Sequence, residues 1–169
     1  MNNNKNNHQI LIGGIVLFRD YKKKKQYLLV KHKDDGEWEL PKVTVRKGES
    51  SVRAAIRMTG EQIGVSARVL EEVGRFNGST VINNKPATQK FYFYLVMQRA
   101  GSGEVMGFNQ SLWAEYPIAL KKLGLKKERE IFKSSKDILK EWEKTKKHKI
   151  DQEEEELLLQ EQEEARLAG

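Results

Sequence analysis

Between residues 42 and 64 the chain concentrates the side chains that could do chemistry. Arg53, Arg57 and Glu61 stand four apart, so a helix would set them in one row on its polar face. Glu49 precedes Arg57 by eight residues, and Lys42, Arg46 and Lys47 occupy the segment leading into that helix. Basic side chains in such a loop can bind phosphate, and they can equally be solvated surface. A carboxylate near a guanidinium can take part in a reaction, or can form an internal ion pair that fixes a loop on a helix. Lys31 and Lys33 extend the same positive side, while Trp38, Tyr92 and Tyr94 offer rings that either pack in a core or stack on a base. There is no cysteine, and the histidines are His8, His32 and His148. Disulfides, thiolate zinc sites and cysteine nucleophiles are thereby excluded, and any metal must be a hard cation held by oxygen or be bound by histidine.

The elements that must position these residues follow from hydrophobic periodicity. Residues 10–18 read as a buried strand interrupted by Gly13-Gly14, where another backbone or a ligand could approach closely. A lysine-rich turn over 20–25 leads to a returning strand over 26–31, which makes a hairpin. Ser50 or Ser51 caps a helix whose apolar positions are Val52, Ala55, Ile56, Thr59 and Ile63 and whose end is Gly64. Residues 68–76 form a further strand, 77–88 a turn-rich loop carrying Asn77-Gly78 and Asn83-Asn84, 91–97 a central strand, and 112–116 a short last strand. Two helices follow, from Pro117 and from near Leu125. In the second, Ile131, Ser135, Ile138 and Trp142 recur at seam spacing and could pack on the domain or on a partner.

The length of 169 residues suits one domain. No apolar run approaches the roughly 20 residues of a membrane span, and the Asn-rich start lacks the apolar core of a secretory signal. No membrane association and a cytoplasmic location are expected. Residues 151–169 hold eight acids and one Arg, a formal −7, which leaves +14 of the net +7 on residues 1–150. A basic body favours anionic ligands such as phosphates or RNA, and is also compatible with plain solubility. The expected organisation is a polar leader over 1–9, a domain over 10–142 and a charged helical or mobile tail over 143–169.

The run Glu37-Trp38-Glu39-Leu40-Pro41-Lys42 followed by Val43 to Val65 resembles the Nudix hydrolase signature, G-x5-E-x7-R-E-U-x-E-E-x-G-U, with U a bulky aliphatic residue. The flanking Gly13-Gly14-Ile15-Val16-Leu17-Phe18, the Tyr27-Leu28-Leu29-Val30 strand and Trp113 with Tyr116 look like the diadenosine-tetraphosphate-hydrolase-like branch of that family, so the resemblance covers about residues 10–142. It implies an α/β fold: a Nudix α/β/α sandwich, a mixed β-sheet flanked by helices, here with a charged C-terminal helical extension. It also implies a loop-helix-loop whose glutamates hold magnesium or manganese against a diphosphate while water attacks phosphorus. Clustered carboxylates supply hard ligands and offset the repulsion between substrate phosphates.

Carried over position by position, Glu49, Arg57, Glu61, Gly64 and Val65 fit the signature. Val43 stands for its glycine, Met58 and Gln62 for two of its glutamates, and Thr59 for its aliphatic. The resemblance therefore assigns catalytic roles to Glu61, Glu49 and Arg57 and the metal to Glu61 with Glu104 as the nearest further acid, while the basic side chains Lys42, Arg46, Lys47 and Arg53 are the candidate ligand contacts. Glu71, Glu72 and Glu115 are weaker candidates. Losing a positioned base costs about 10²- to 10⁴-fold in rate, so the leading expectation is a Nudix-fold protein binding a nucleotide or diphosphate with weak or no hydrolysis. Two alternatives stay open. One is an active magnesium-dependent pyrophosphohydrolase acting on nucleoside diphosphate-linked compounds. The other is a scaffold that docks a protein partner through its C-terminal helix.

Overall fold

The computed structural model describes residues 8–101 and 104–169. Two compact units divide the chain, residues 1–135 and residues 136–169. The predicted leader over 1–9 falls outside the described residues except for His8 and Gln9, which open the first strand.

In the first unit, β1 (His8–Tyr21), β2 (Lys24–Lys31), β3 (Lys42–Thr44), β4 (Val65–Ile82), β5 (Lys85–Gly101) and β6 (Gln110–Ala114) form one mixed sheet. Its order is β4-β5-β1-β2-β6, with β3 on the first half of β1. β1 runs parallel to β5 from His8↔Ala87 to Phe18↔Met97, and the other pairings between these strands are antiparallel. A strand paired on both sides and covered on both faces is expected to be continuously apolar. Ile15, Val16, Leu17 and Phe18 are accordingly all buried, as are Tyr27 to Val30 in β2.

Because side chains alternate across a strand, these runs feed two cores. Ile15, Leu17, Leu28, Val30 and Val96 pack with Ala55, Met58 and Ile63 from the segment after β3. On the other face the Tyr27 ring meets Phe132 edge-on at 5.0 Å, and Phe132 stacks on Tyr116 at 4.7 Å. Helix α1 (Ser51–Met58) thus covers one face. Helix α2 (Tyr116–Lys122) and the first turns of α3 (Lys126–Leu167) cover the other. The mixed sheet flanked by helices and the C-terminal helix match the expected sandwich. No helix among the described residues is long and apolar enough to cross a membrane.

The expected loop over 77–88 is not a loop. β4 and β5 continue through it as a hairpin, Asn77 opposite Lys90 and Gly78 opposite Gln89, closed by Asn83-Asn84 alone. Those two residues have φ of 51° and 61°, the left-handed pair of a two-residue hairpin turn that asparagine tolerates. The Asn77-Gly78 turn signal is overridden by the ladder, and a Cβ at Gly78 would lie 3.1 Å from the Phe91 ring. The hairpin over the lysine-rich turn behaves as expected, with Lys22 and Lys23 at φ 49° and 67°.

The predicted single helix from Ser50 to Gly64 is also revised. Ser50 caps α1, accepting from the Arg53 N–H, but after Met58 the chain makes a π turn over Thr59–Ile63. Gly64 closes it at φ 75°, its N–H reaching the Thr59 carbonyl. The buried positions of α1 are Ala54, Ala55 and Met58, whereas Ile56 is half exposed. α1 lies close on β1 because Gly13 has no side chain: a Cβ there would stand 2.7 Å from the Ser51 carbonyl oxygen. Backbone cannot yield as a rotamer can, so Gly13→Ala is expected to lower stability by about 1–3 kcal/mol. Urea unfolding measures it, and an unchanged midpoint would mean that α1 has free play over β1.

Candidate functional site

Three features of the first unit meet around β3. The first is a cleft of about 360 Å³ lined by Ile12, Val43, Phe76, Phe91 and Leu125, with the polar groups His32, Glu39, Lys42, Thr44, Gln89 and Glu128. Phe76 and Phe91 are cross-strand partners in the β4–β5 ladder and stack at 4.6 Å with 23° between planes, and Phe93 continues the stack at 5.5 Å from Phe76. This is an apolar wall suited to a flat ring.

Its floor is ionic. Glu128, at 1% exposure, accepts from the Leu40 N–H at 2.7 Å and from Lys42 Nζ at 2.6 Å. Burial pushes its carboxyl above the usual carboxylate range, and Lys42 pulls the other way. Lys42 also reaches the Leu40 carbonyl at 3.2 Å and Glu39 at 3.4 Å. His32 stands 3.9 Å from Glu39, and burial together with the Lys42 charge lowers its pKa. A lowered pKa favours the neutral imidazole, which has one donor and one acceptor nitrogen.

The second feature is a neighbouring groove of about 350 Å³ lined by residues 9–11 and 44–49, including Arg46, Lys47 and Glu49. Thr44 lines both cavities. The third is the row on α1. Arg57 donates from Nε at 2.9 Å and from its Nη2 at 3.0 Å to the two oxygens of Glu49, and the same Nη2 reaches the Thr44 carbonyl at 3.2 Å. The Arg46 N–H also donates to Glu49, so the Glu49 carboxyl falls from its ordinary 4.5 to about 2, chiefly through the Arg57 hydrogen bonds. This two-pronged pair fastens the loop after β3 onto α1.

The residues singled out in the sequence therefore divide. Glu49, Arg57, Glu61 and Arg46 come together, with Glu61 3.8 Å from both Arg46 and Arg57 and largely exposed. Lys47 and Arg53 are exposed, and Lys42 turns inward to Glu128. Glu104 is exposed, and its backbone carbonyl is what approaches Gly64. Glu72 pairs with Arg75, Glu115 with Lys24 at 3.4 Å, and Glu71 is exposed on β4. Trp38 lies under Lys31 at 5.0 Å, Arg75 covers Tyr92 at 4.6 Å, and the Tyr94 hydroxyl shares a hydrogen bond of 2.5 Å with Ser51.

Met58 is fully buried in the apolar core, against which Val105 and Phe108 also pack. The segment 104–109 lies across Gln62: the Met106 and Gly107 N–H groups both donate to the Gln62 carbonyl at 3.1 Å, and a Cβ on Gly107 would overlap the Gln62 side chain. Magnesium or manganese needs several hard oxygen ligands with free lone pairs. Met58 offers no oxygen, both oxygens of Glu49 accept hydrogen bonds from Arg57, and Glu61 faces two guanidinium groups. Among the described residues no three His, Asp or Glu side chains stand together as an ion would require. The residues present do not fit such a centre.

Sequence reasoning missed the cleft. Glu39, Glu128, His32, Gln89, Leu125, Phe76 and Phe91 come from five separate stretches of chain, and only the alternation of Phe91 and Phe93 in β5 hinted that one face of that strand is aromatic.

A model of the NUDIX domain matches residues 11–133 of the chain. No curated protein matches it. Among solved structures, Ap4A hydrolase of C. elegans in a binary complex superposes with a TM-score of 0.60 at 20% identity, covering 77% of this chain and 97% of that one. The NUDIX domain of Shewanella oneidensis NrtR complexed with ADP ribose gives 0.58 at 18% identity over 78% and 88%. The E. coli dihydroneopterin triphosphate pyrophosphohydrolase gives 0.54 at 13% identity over 72% and 91%. At these identities the likeness is one of fold.

Two outcomes follow from the site. Because the folded pKa of Glu49 is depressed, the stability that its pair with Arg57 contributes is complete above pH 4.5 and is lost as the pH falls through about 2. The stability gap between the native chain and Glu49→Gln is expected to close over that interval, and chemical denaturation at stepped pH reads it; a pH-independent gap would mean that Glu49 acts other than as the charged partner. Met58→Glu should cost about 3–5 kcal/mol by burying an unpaired charge, whereas Met58→Leu should cost under about 1.5 kcal/mol. A glutamate variant as stable as the native chain would place position 58 in an open site.

Proposed function

Since the chain belongs to the NUDIX family, we propose that it binds a nucleotide or another ring-bearing diphosphate and hydrolyses it weakly or not at all. The observation that carries this reading is the junction at Thr44, where an aromatic-walled cleft meets a groove bearing Arg46 and Lys47. A planar ring on Phe76 and Phe91 and an anionic chain on the two basic side chains are the two halves of a nucleoside diphosphate. Glu39, Thr44 and Gln89 supply polar atoms to the ring edge, and the neutral His32 can add a donor or an acceptor. The ADP ribose of the NrtR domain and the Ap4A named for the nematode enzyme are ligands of this type, bound or cleaved by proteins of the same fold.

The weak-hydrolysis half of the reading rests on Met58 and on Glu49. A diphosphate can sit in such a cleft by stacking and ion pairing alone, but in-line attack by water needs a base and charge neutralisation at phosphorus. With position 58 in the core and Glu49 held by Arg57, Glu61 is the remaining carboxylate of the row, and it is flanked by two positive charges.

Calorimetric titration with ADP ribose and with a non-hydrolysable dinucleoside polyphosphate tests the proposal. Binding is expected to be the same with magnesium, with manganese and with a chelator. Phe91→Ala is expected to weaken it about 5- to 150-fold, as the loss of one base-stacking contact does. Product release from a panel of nucleoside diphosphate derivatives should stay at background. Metal-dependent turnover that disappears in Glu61→Gln would overturn the reading and establish a working hydrolase.

A further inference from the structure

The cleft walled by Phe76 and Phe91 holds two carboxylates, and they differ in what their oxygens are left to do. Glu128 is committed to the protein, one oxygen accepting from the Leu40 N–H and the other from Lys42 Nζ. Among the described residues, the nitrogens nearest the two oxygens of Glu39 are Lys42 Nζ at 3.4 Å and His32 Nε2 at 3.9 Å. Both lie beyond the reach of about 3.2 Å that an N–H donor spans. The position of this acid is nonetheless fixed. The Glu39 backbone exchanges both of its hydrogen bonds with Val30, at 2.8 and 2.9 Å, and 21% of the side chain is exposed. A largely covered carboxylate with acceptor capacity on both oxygens suits a ligand that brings two adjacent N–H donors.

The phosphates of a nucleotide cannot be that part of the ligand, because they carry the same charge as Glu39. Its ring can. Phe91 pairs with Ile12 and Ile12 with Thr44, so β1 alone separates the stacking wall on β5 from β3, at about 5 Å to either side. Lys42 opens β3, and Glu39 precedes it by three residues. Guanine sets two N–H donors side by side, its N1–H and its 2-amino group, with a carbonyl next to them. Adenine and cytosine each set one amino group beside a bare ring nitrogen, and uracil sets one N–H between two carbonyls. Those bases would turn a lone pair toward one oxygen of a carboxylate or leave it without a donor.

We propose that Glu39 makes this cleft selective for a ring whose edge carries a cyclic N–H between a carbonyl and an amino group, as guanine does. The ring N–H and the amino group donate to the two oxygens of Glu39. Lys42, with two of its three donors on Glu128 and the Leu40 carbonyl, gives the third to the ring carbonyl. Adenine satisfies Lys42 and one oxygen of Glu39 and leaves the other oxygen unmatched, so it is held more weakly. This selectivity rests on the reading of the cleft as a site for a ring-bearing diphosphate. Pterins carry the same edge as guanine, and the class is defined by that edge.

Calorimetric titration of the full chain with the diphosphates of guanosine, inosine and adenosine tests the assignment. Inosine lacks only the 2-amino group of guanosine, so the ratio of the two affinities isolates one hydrogen bond to a charged acceptor. The guanosine compound is expected to bind about 10- to 100-fold tighter than the inosine compound, and tighter than the adenosine compound. In Glu39→Gln one acceptor oxygen becomes a donor, and the guanosine-to-inosine ratio is expected to approach one. Phe91→Ala, by contrast, should weaken all three nucleotides alike. Neopterin triphosphate in the same series distinguishes the source of the edge: tighter binding than the guanosine compound assigns a pterin, weaker binding a guanine nucleotide. Equal affinities for the guanosine and inosine compounds in the native chain, or a ratio unchanged in Glu39→Gln, would overturn the selectivity while leaving the nucleotide site standing. Failure of every nucleotide to bind would overturn both.

Discussion

Everything in the first unit depends on β1 being covered on both faces and paired on both sides. A strand in that position leaves no room for error in the distance of its neighbours, since four consecutive residues, Ile15 to Phe18, are excluded from solvent at once. Gly13 and Gly14 mark where that strand is approached most closely, by the layer above it and by the neighbouring strand β5. Gly13 lies under the Ser51 carbonyl at the start of α1, and a Cβ at Gly14 would overlap the Phe93 ring. The first contact sets the height of α1, and with it the row from Arg53 to Glu61. The second sets the level of the aromatic stack that walls the cleft. One dipeptide thus couples the two halves of the candidate site through the packing of the sheet.

Two ion pairs then fix the loop after β2 and β3, and they do so under opposite physical conditions. Glu128 and Lys42 are buried together, so their attraction works against the desolvation of both, and removing either partner would strand a charge in the interior. Glu49 and Arg57 sit nearer to water, where geometry matters more than Coulomb energy, and the two-pronged contact plus the Arg46 N–H supplies that geometry. The result is a site in which both of these acids are committed to holding the backbone. Glu61 is the exception in the row: it is exposed and stands 3.8 Å from the side chains of Arg46 and Arg57.

The local signals that proved reliable were those with a steric cause. Gly64 ends the segment after α1 at positive φ, Ser50 caps it, and the lysine-rich turn closes β1 onto β2. Signals that were only compositional misled. Asn77-Gly78 looked like a turn and is ladder, because Asn83-Asn84 closes the hairpin in a register that pairs residues from Val65 to Ile82 with those from Lys85 to Gly101. Ile56 looked like a core position and is half exposed, because α1 is rotated so that Ala54, Ala55 and Met58 face the sheet and the π turn then carries Ile63 inward.

The sequence by itself determined the family, the order of strands and helices apart from β3, the loop-helix-loop between Lys42 and Gly64, and the meeting of Glu49 with Arg57, because each rests on residues close in the chain whose spacing or backbone preference leaves few geometries. Tertiary structure alone decided that Met58 lies in the core, that Lys42 turns inward to Glu128, and that Phe76, Phe91, Leu125 and His32 line one cleft beside the Arg46 groove. Those facts depend on sheet register and on which layer covers which face. Both are set by contacts between residues far apart in the chain, such as the 88 positions from Leu40 to Glu128, which no local pattern encodes.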